Sequence, residues 1–432
     1  MSARGALSST ASADVTQSLR KTRLRSWWVE YRGALRNITR QYRRSLIGIL
    51  AVTFGVVSLI LATGFIEWIF WASREGAIQT GLGHIHVVRP GYLENGQADP
   101  MRYLLPLSAA EKEALGKFPK VRTIAPRLSF NGMVSHDEAT ISFVGEGVDP
   151  EAEALVSRRM NLSAGQNLSS DAPDGIVLGR GLAENLGVRV GDKTVLLANT
   201  RAGGINAVEC TVRGLFTSAS KAYDDSALRV PMPIAQRLLR VSDSHRWILL
   251  LNDTGDTTQT VMALRERFQD SNLEFVPWYD MADFYKKTVA LLSRQIAVLE
   301  LIIGAIIVLS ISNTMMMNVL ERTSEIGTCL AIGRRRGQIL LQFVFEGFTV
   351  GLVGGILGLT LAVSLALLIS YIGIPMPPPP GMSESYSGEI MLTGPLMTRA
   401  FVLAIGTTTL ASLYPAWKAS RLEIVDALRH NR

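Results

Sequence analysis

Three glutamates lie inside long apolar stretches of this sequence, and their setting could support proton chemistry. Glu67, Glu300 and Glu346 are each the single charged residue of their stretch. Carboxylates in such a setting are costly and often functional. Glu67 and Glu300 lie near the ends of their stretches, where the side chains can reach the membrane surface. Glu346 lies deeper, and a hydrogen bond to a serine or threonine of a neighbouring helix is a better interpretation than a proton relay.

Other residue types that could do chemistry are sparse. His84 and His86 alternate along a predicted strand, so they share one face and could bind a metal together. No third ligand is apparent, which favours an ordinary strand pair. The sequence has no G-x-x-x-x-G-K-[ST] nucleotide loop, no G-x-S-x-G elbow and no H-E-x-x-H helix. We therefore predict that the chain is not an enzyme and holds no cofactor or metal of its own.

The apolar stretches themselves predict the architecture. A helix of about 20 apolar residues crosses a bilayer, and four stretches approach or exceed that length. We predict a membrane α-helical protein with four transmembrane helices, at 46–71, 289–320, 339–372 and 399–417. A large extracytoplasmic α+β domain, residues 72–288, is inserted between the first and second helices. Its strand and helix patterns alternate, which indicates two lobes.

The distribution of basic residues predicts the orientation in the membrane. Arginines and lysines are concentrated before the first helix, between the second and third, and after the fourth, whereas the 373–398 loop has none. Basic loops stay in the cytoplasm. The net charge of +7 is therefore juxtamembrane, which indicates lipid headgroups rather than nucleic acid as its partner. The predicted cytoplasmic segments are the N-terminus (1–45), the 321–338 loop and the tail (418–432), and the Pro-rich 373–398 loop is outside with the large domain.

Two further patterns concern the helices. Aromatic and aliphatic residues recur every three or four positions before the first span, which predicts an amphipathic helix in the membrane interface. Its apolar face includes Trp27, Trp28, Tyr31 and Leu35. In the third span, glycines recur at small-xxx-small spacing, which allows helices to approach closely within one subunit or across a dimer. These glycines are Gly347, Gly351, Gly354, Gly355 and Gly358.

The patterns of the first two spans predict helices that are too long for the bilayer alone and project beyond it. The apolar pattern of the second begins near Phe284 and meets no Pro or Gly until Gly304. A helix over 284–320 would be roughly 55 Å long. The first span can continue toward Gln79. Together they would form a stalk that carries motion, whereas the alternative is that both helices break at the interface.

Three motifs resemble a known family of membrane proteins. Residues 321–333, ERTSEIGTCLAIG, resemble the R-x-x-E-I-G-x-x-x-A-x-G signature that follows the second span of MacB/FtsX/LolC-type ABC permeases. The tail, with YPAWKASR at 414–421 and DALR at 426–429, resembles the family ending, although Ile424 replaces the usual Pro. Residues 176–192 are similar to the periplasmic core domain of the family.

The resemblance implies a mechanism. Such permeases reside in the bacterial inner membrane, form homodimers or pair with a close paralogue, and work with a separate ATPase that binds ATP and Mg²⁺. ATP-driven movement of that subunit displaces the 321–338 loop, and the stalk passes the motion outward, a process called mechanotransmission. The residues implied in ATPase coupling are Arg322, Glu325, Ile326, Gly327, Ala331, Gly333 and Arg334.

Two functional classes are compatible with the resemblance. In the first, the complex exports or extracts a lipoprotein, lipid, peptide or drug, with a periplasmic adaptor or lipoprotein as a further partner. In the second, the chain is an FtsX-like regulator that transports nothing and activates a periplasmic cell-wall hydrolase. The length of the 72–288 domain favours transport.

Overall fold

The computed structural model describes residues 31–34, 36–37, 39–40, 42–96, 99–106, 110–158, 160–218, 220–376 and 386–424. These residues form two compact units. We name as the membrane unit the described parts of Met1–Ile69, Leu291–Ile374 and Gly388–Arg432, and as the inserted domain the described parts of Phe70–Ala290 and Pro375–Ser387.

The helices of more than one turn are α1 (Tyr42–Ala77), α2 (Ala110–Gly116), α3 (Pro150–Val156), α4 (Arg180–Leu186), α5 (Met232–Leu239), α6 (Thr257–Arg267), α7 (Asp283–Glu321), α8 (Thr323–Ala331), α9 (Arg336–Ile372) and α10 (Gly394–Ser420). The shorter ones are the π-helical turn Ile78–Leu82, the α-helical turns Tyr92–Asn95, Lys221–Asp224 and Trp278–Met281, and the 3₁₀ turns Pro100–Tyr103 and Thr254–Asp256. The strands are β1 (Ile85–Val88), β2 (Val121–His136), β3 (Ala139–Val148), β4 (Asn161–Gly165), β5 (Gly175–Gly179), β6 (Lys193–Asn199), β7 (Ile205–Thr217), β8 (Ala227–Pro231), β9 (Arg246–Leu251), β10 (Glu274–Pro277), β11 (Ile374–Met376) and β12 (Tyr386–Gly388).

Among the described residues, four helices are long and apolar enough to cross a membrane: α1, α7, α9 and α10. The helix predicted over 284–320 is confirmed, because α7 is continuous from Asp283 to Glu321. α1 continues past the predicted span to Ala77, where the π-helical turn follows. α10 begins at Gly394 rather than at 399, since Pro395 in its first turn fits the start of a helix. The Pro-rich residues 377–385 and the tail beyond 424 lie outside the described residues.

The glycines of α9 pack inside the membrane unit against two different helices. A Cβ at Gly347 would lie 2.6 Å from the Ser412 Cβ of α10, and one at Gly355 would lie 2.9 Å from the Phe401 ring. Gly351 faces the same helix, at Thr408.

The other two glycines face α1. A Cβ at Gly354 would lie 2.8 Å from the Val52 Cβ, and one at Gly358 would lie 2.7 Å from the Val56 Cβ. The two glycine sets thus place α9 between α1 and α10, so the close approach anticipated from their spacing occurs within one subunit.

The inserted domain has α+β architecture, as predicted, and strands β1 to β10 form one sheet, whereas β11 and β12 pair with each other. The strand order is β10-β1-β9-β2-β3-β8-β5-β7-β4, and β6 pairs with β2 and β7. β3 pairs with β8 and β5 pairs with β7 in parallel, and the other pairs are antiparallel. Two main apolar clusters pack on it, one containing Leu128 and Leu178 and the other Ile85 and Trp247. Both clusters lie on this one sheet, and β2 contributes residues to each of them. The two lobes predicted from the sequence therefore share one sheet.

Local sequence signals place several of these elements. Among the described residues, α2 spans Ala110–Gly116 and carries Glu111 and Glu113 in its first turn, where acidic side chains are favourable. α4 ends at Gly187, whose φ of 73° is left-handed and therefore suits glycine.

Candidate coupling site

The short helix α8 lies between two membrane-spanning helices and carries the first predicted site residues. Its inward side is held by Thr323 and Ile326, which are 8% and 5% exposed. Gly327 is buried as well. Ile326 belongs to the apolar cluster that also contains Phe343 of α9. Ile326 and Gly327, which the signature assigns to ATPase coupling, therefore face the interior of the membrane unit and position α8 instead of presenting a surface.

Glu325 occupies the outward side of the first turn of α8. Its Oε1 lies 2.5 Å from Nη2 of Arg40, and its Oε2 accepts a hydrogen bond of 3.1 Å from Nε of Arg322. Burial would raise the pKa of this carboxyl group, but the hydrogen bonds from Arg322 and Arg40 outweigh it and lower the pKa. The side chain is 43% exposed, so an ionised carboxylate is held at the surface in a defined orientation.

The end of α8 presents an apolar side chain. Ile332 is 82% exposed, beside the exposed Ala331. Gly333 has φ 99°, and the backbone bonds Gly333 N to Leu330 O and Arg334 N to Cys329 O close a Schellman turn there. The guanidinium of Arg334 donates to Oε1 of Gln342 at 2.8 Å, which ties the turn to α9.

Deeper in the membrane unit, the interpretation of Glu346 as a hydrogen-bond partner of a serine or threonine is wrong. Its Oε2 faces Nη1 of Arg322 at 3.9 Å, and neither atom has a hydrogen-bond partner among the described residues. The nearby Thr314, which lines the same small cavity, donates its hydroxyl to the Ser310 carbonyl of its own helix. Hydroxyls engaged in this way are not available to a neighbouring carboxylate.

The other two intramembrane glutamates lie near one another. Glu300 pairs with Arg399 of α10 at 2.6 Å. Glu67 lines the same cavity, of about 140 Å³. Glu300 therefore has a cationic partner on a neighbouring helix. The sequence did not predict this pair, because Arg399 lies at the edge of the predicted span.

The predicted interfacial helix is described only in part. Trp27, Trp28 and Leu35 lie outside the described residues. The ring of Tyr31 packs edge-on against that of Phe345 in α9, with centroids 6.0 Å apart. At the start of α1, Arg44 forms an ion pair with Glu321 at the end of α7. Together with the Arg40–Glu325 pair, these contacts connect residues 31–44 to α7, α8 and α9.

The side chains of the two histidines of the inserted domain contact different partners. Among the described residues, no group of three His, Cys, Asp or Glu side chains is arranged to hold a metal ion. Both histidines are buried and hydrogen-bonded within the domain. Nε2 of His84 lies 3.0 Å from the Thr254 hydroxyl, and Nε2 of His86 lies 2.6 Å from the Leu82 carbonyl.

Comparisons with known proteins match two parts of the chain to known families. Residues 45–267 match the family of MacB-like periplasmic core domains, and residues 297–424 match the family of FtsX-like permease C-terminal regions. Among curated relatives, a macrolide export ATP-binding/permease protein MacB from Acinetobacter baylyi is 25% identical over 413 residues, covering 91% of this chain and 58% of that protein. A MacB from Bdellovibrio bacteriovorus is 34% identical over 185 residues, covering 41% of this chain and 26% of that protein.

Among solved structures, the periplasmic region of MacB from Actinobacillus actinomycetemcomitans matches with a TM-score of 0.35 and 12% identity. It covers 49% of this chain and 94% of that one. The chain spans about 58% of the length of the curated relative that it matches over most of its own length.

Proposed function

Because the chain belongs to the family of ABC transporter permeases with a MacB-like periplasmic core domain and an FtsX-like C-terminal region, we propose that it couples ATP hydrolysis to movement of its inserted domain. ATP and Mg²⁺ are bound by an ATPase partner, and this chain is the multi-pass inner-membrane component. Both its termini and α8 face the cytoplasm, and the inserted domain faces the periplasm. Two copies, or this chain and a close paralogue, assemble with the ATPase.

The position and surface of α8 support this proposal most directly. The helix is anchored by Ile326 and presents a fixed carboxylate, Glu325, and an exposed apolar side chain, Ile332. The oriented carboxylate and the exposed side chains of Ala331 and Ile332 give α8 a charged and an apolar group for contact with another protein. Movement of a partner bound here would act on α7 and α9, which flank α8 directly in sequence.

The output of the complex is export or extraction of a lipoprotein, lipid, peptide or drug. The curated relatives that align over most of this chain are named for macrolide export, which supports transport over activation of a cell-wall hydrolase. In this proposal the cargo does not cross through a cavity of the membrane unit. The inserted domain moves it from the periplasmic side.

The coupling role is tested with Glu325→Lys in the complex with its ATPase. The substitution places a third cation beside Arg40 and Arg322 and removes the acceptor from the surface of α8. We expect stimulated ATP turnover to be lost while the assembled complex still elutes as one species. A control, Arg40→Glu combined with Glu325→Lys, restores an intramolecular pair with reversed charges. If the double variant recovers turnover, Glu325 acts only within the chain.

The apolar contact is tested with Ile332→Asp. Its matched control is Ile205→Asp, at a side chain that is 74% exposed but belongs to the inserted domain. We expect Ile332→Asp to weaken binding of the ATPase and Ile205→Asp to leave it unchanged. Equal ATPase binding by the two variants would contradict the assignment of α8 as the docking site.

A further inference from the structure

A cluster of buried charges lies at the centre of the inserted domain. Its members come from four strands and one helix, and all but Arg246 are less than a tenth exposed. We name it the charge cluster, and it consists of Arg127 (β2), Glu146 (β3), Glu153 (α3), Arg229 (β8) and Arg246 (β9). Its contacts are close and multiple, so it links strands that are far apart in sequence.

Glu153 is the acceptor at the middle of the cluster. Arg127 donates to both of its oxygens, at 3.1 and 2.6 Å, and Arg229 donates to Oε1 at 3.0 Å. Glu146 pairs with Arg246 and lies 3.5 Å from Arg127. Burial alone would raise the pKa of Glu146, but the guanidinium groups of Arg127, Arg246 and Arg229 lower it to about 2. Glu146 is therefore ionised.

The cluster carries an excess of positive charge. Three guanidinium groups face two carboxylates, which leaves a net charge of +1, and an uncompensated buried charge is strongly destabilising. Among the described residues, Nε of Arg229, Nε of Arg246 and Oε2 of Glu146 have no hydrogen-bond partner. A further negative or carbonyl-rich group beside the arginines would offset this excess.

The turn at the end of α1 lies beside these arginines. The π-helical turn after α1 includes Gly81, with φ 126°, and a Cβ there would lie 2.9 Å from Nη2 of Arg127 and 3.2 Å from Nη2 of Arg229. The backbone thus passes directly over both guanidinium groups, which only glycine permits. The carbonyl end of a helix carries about half a unit of negative charge, which attracts cations.

Three more contacts hold the same segment. Nε2 of His86 donates a hydrogen bond to the Leu82 carbonyl at 2.6 Å. Burial lowers the pKa of His86 to about 3, so its ring is neutral. The Thr254 hydroxyl donates to Glu75 of α1 at 2.9 Å, and His84 bonds to that hydroxyl at 3.0 Å.

The apolar contact is made by Ile78. It is fully buried in a cluster with Val156, Ile248 and Trp278, against which Tyr285 of α7 also packs. The end of α1 is therefore fixed by polar contacts on one side and an apolar side chain on the other, and the start of α7 joins the same cluster.

We propose that the charge cluster is the joint through which α1 moves the inserted domain, with Arg127 and Arg229 as positioning residues that hold the turn at Gly81. This proposal rests on the mechanical coupling of the proposed function. A rigid joint at the point where a helix enters a domain makes the strands carrying Arg127, Glu146, Arg229 and Arg246 follow any displacement of that helix.

The test uses Gly81→Ala in the complex of the full chain with its ATPase. The methyl group displaces the turn from Arg127 and Arg229. The matched control is Gly191→Ala, because Gly191 has a similar φ of 102° and nothing within 4 Å of the position of a Cβ. A second variant, Glu153→Gln, keeps the side-chain shape and removes the central charge. The three variants are compared with the wild type for melting temperature, ATP turnover and the change in hydrogen exchange of the inserted domain on trapping with ATP and vanadate.

We expect Gly81→Ala and Glu153→Gln to hydrolyse ATP at the wild-type rate but to lose the nucleotide-dependent change in exchange, whereas Gly191→Ala retains it. A merely structural role would lower the melting temperature without separating ATP turnover from that change. If Gly81→Ala transmits the change as Gly191→Ala does, the joint is overturned and the proposed function stands. If the wild type itself shows no nucleotide-dependent change, the proposed function fails, and the joint fails with it.

Discussion

Substitution of Gly354 by alanine measures how closely α9 packs against α1. The added Cβ would lie 2.8 Å from the Val52 Cβ and 3.0 Å from the Ile49 carbonyl oxygen. Ordinary carbon–carbon contacts lie at about 3.5–4.0 Å, so the two helices must separate by about 1 Å. Neither atom can rotate away, because one is a Cβ and the other belongs to the backbone.

The size of the effect follows from two opposing terms. Inserting a methyl group into a packed core costs about 1–3 kcal/mol, and alanine in place of glycine returns roughly 1 kcal/mol of helix propensity. The control Gly406→Ala in α10 gains propensity alone, because nothing lies within 4 Å of its Cβ position. The free energy of unfolding should therefore differ between the two variants by the packing term, about 1–3 kcal/mol.

Unfolding of the purified chain is followed by tryptophan fluorescence during titration of SDS into dodecyl maltoside micelles. Gly406→Ala should be as stable as the wild type or more stable, and Gly354→Ala should unfold at a lower SDS fraction than Gly406→Ala. Equal midpoints for the two variants would refute the close crossing at Gly354, since a loosely packed seam accepts a methyl group without cost.

Two further predictions concern buried charges. Acidification from pH 7 to 5 should lower the melting temperature of the inserted domain. Burial lowers the pKa of His86 to about 3 and that of His245 to about 4, so below pH 6.5 only the unfolded chain takes up these protons. This uptake reduces the free energy of unfolding by about 2 kcal/mol for each histidine at pH 5. A melting temperature that is constant over this range would contradict their burial. Arg322→Met should destabilise the membrane unit in the same SDS titration by about 1–3 kcal/mol, because it removes the guanidinium that faces the buried Oε2 of Glu346 at 3.9 Å. The double variant with Glu346→Gln should recover most of the loss, and failure to do so would show that Arg322 acts through other contacts.

The spanning helices and the class of the inserted domain could be predicted because their signals are local. An apolar stretch such as Ile339–Ile372 is long enough to identify a spanning helix without knowledge of its neighbours. The start of α10 was missed because Gly394 and Pro395 precede the apolar stretch, although a proline in a first helical turn is itself a start signal.

The partners of the charged residues depend on tertiary packing, and the sequence alone did not indicate them. The signature assigned Glu325 to the coupling loop, but its partner Arg40 lies 285 residues away in sequence. The interpretation of Glu346 failed for a related reason, because the hydroxyl of Thr314 is already bonded within its own helix. The charge cluster was not anticipated either, since its five residues come from five separate elements. Ile332 had a usable signal, an apolar residue beside a run of arginines.

The first strand of the inserted domain pairs with the last. In the register of β1 and β10, Ile85 lies opposite Pro277, and the Cα atoms of such antiparallel pairs are about 4.5–5.5 Å apart. The polypeptide therefore enters and leaves the domain through adjacent strands, and a loop of a few residues could bridge the same gap. Domains with neighbouring termini tolerate transplantation. A chimaera that exchanges this domain for that of a relative keeps the spacing of the two junctions if the turn at Ile78–Leu82, which contacts Arg127 and Arg229, is exchanged together with the strands. The domain with this turn is then a module that evolution can replace as a whole.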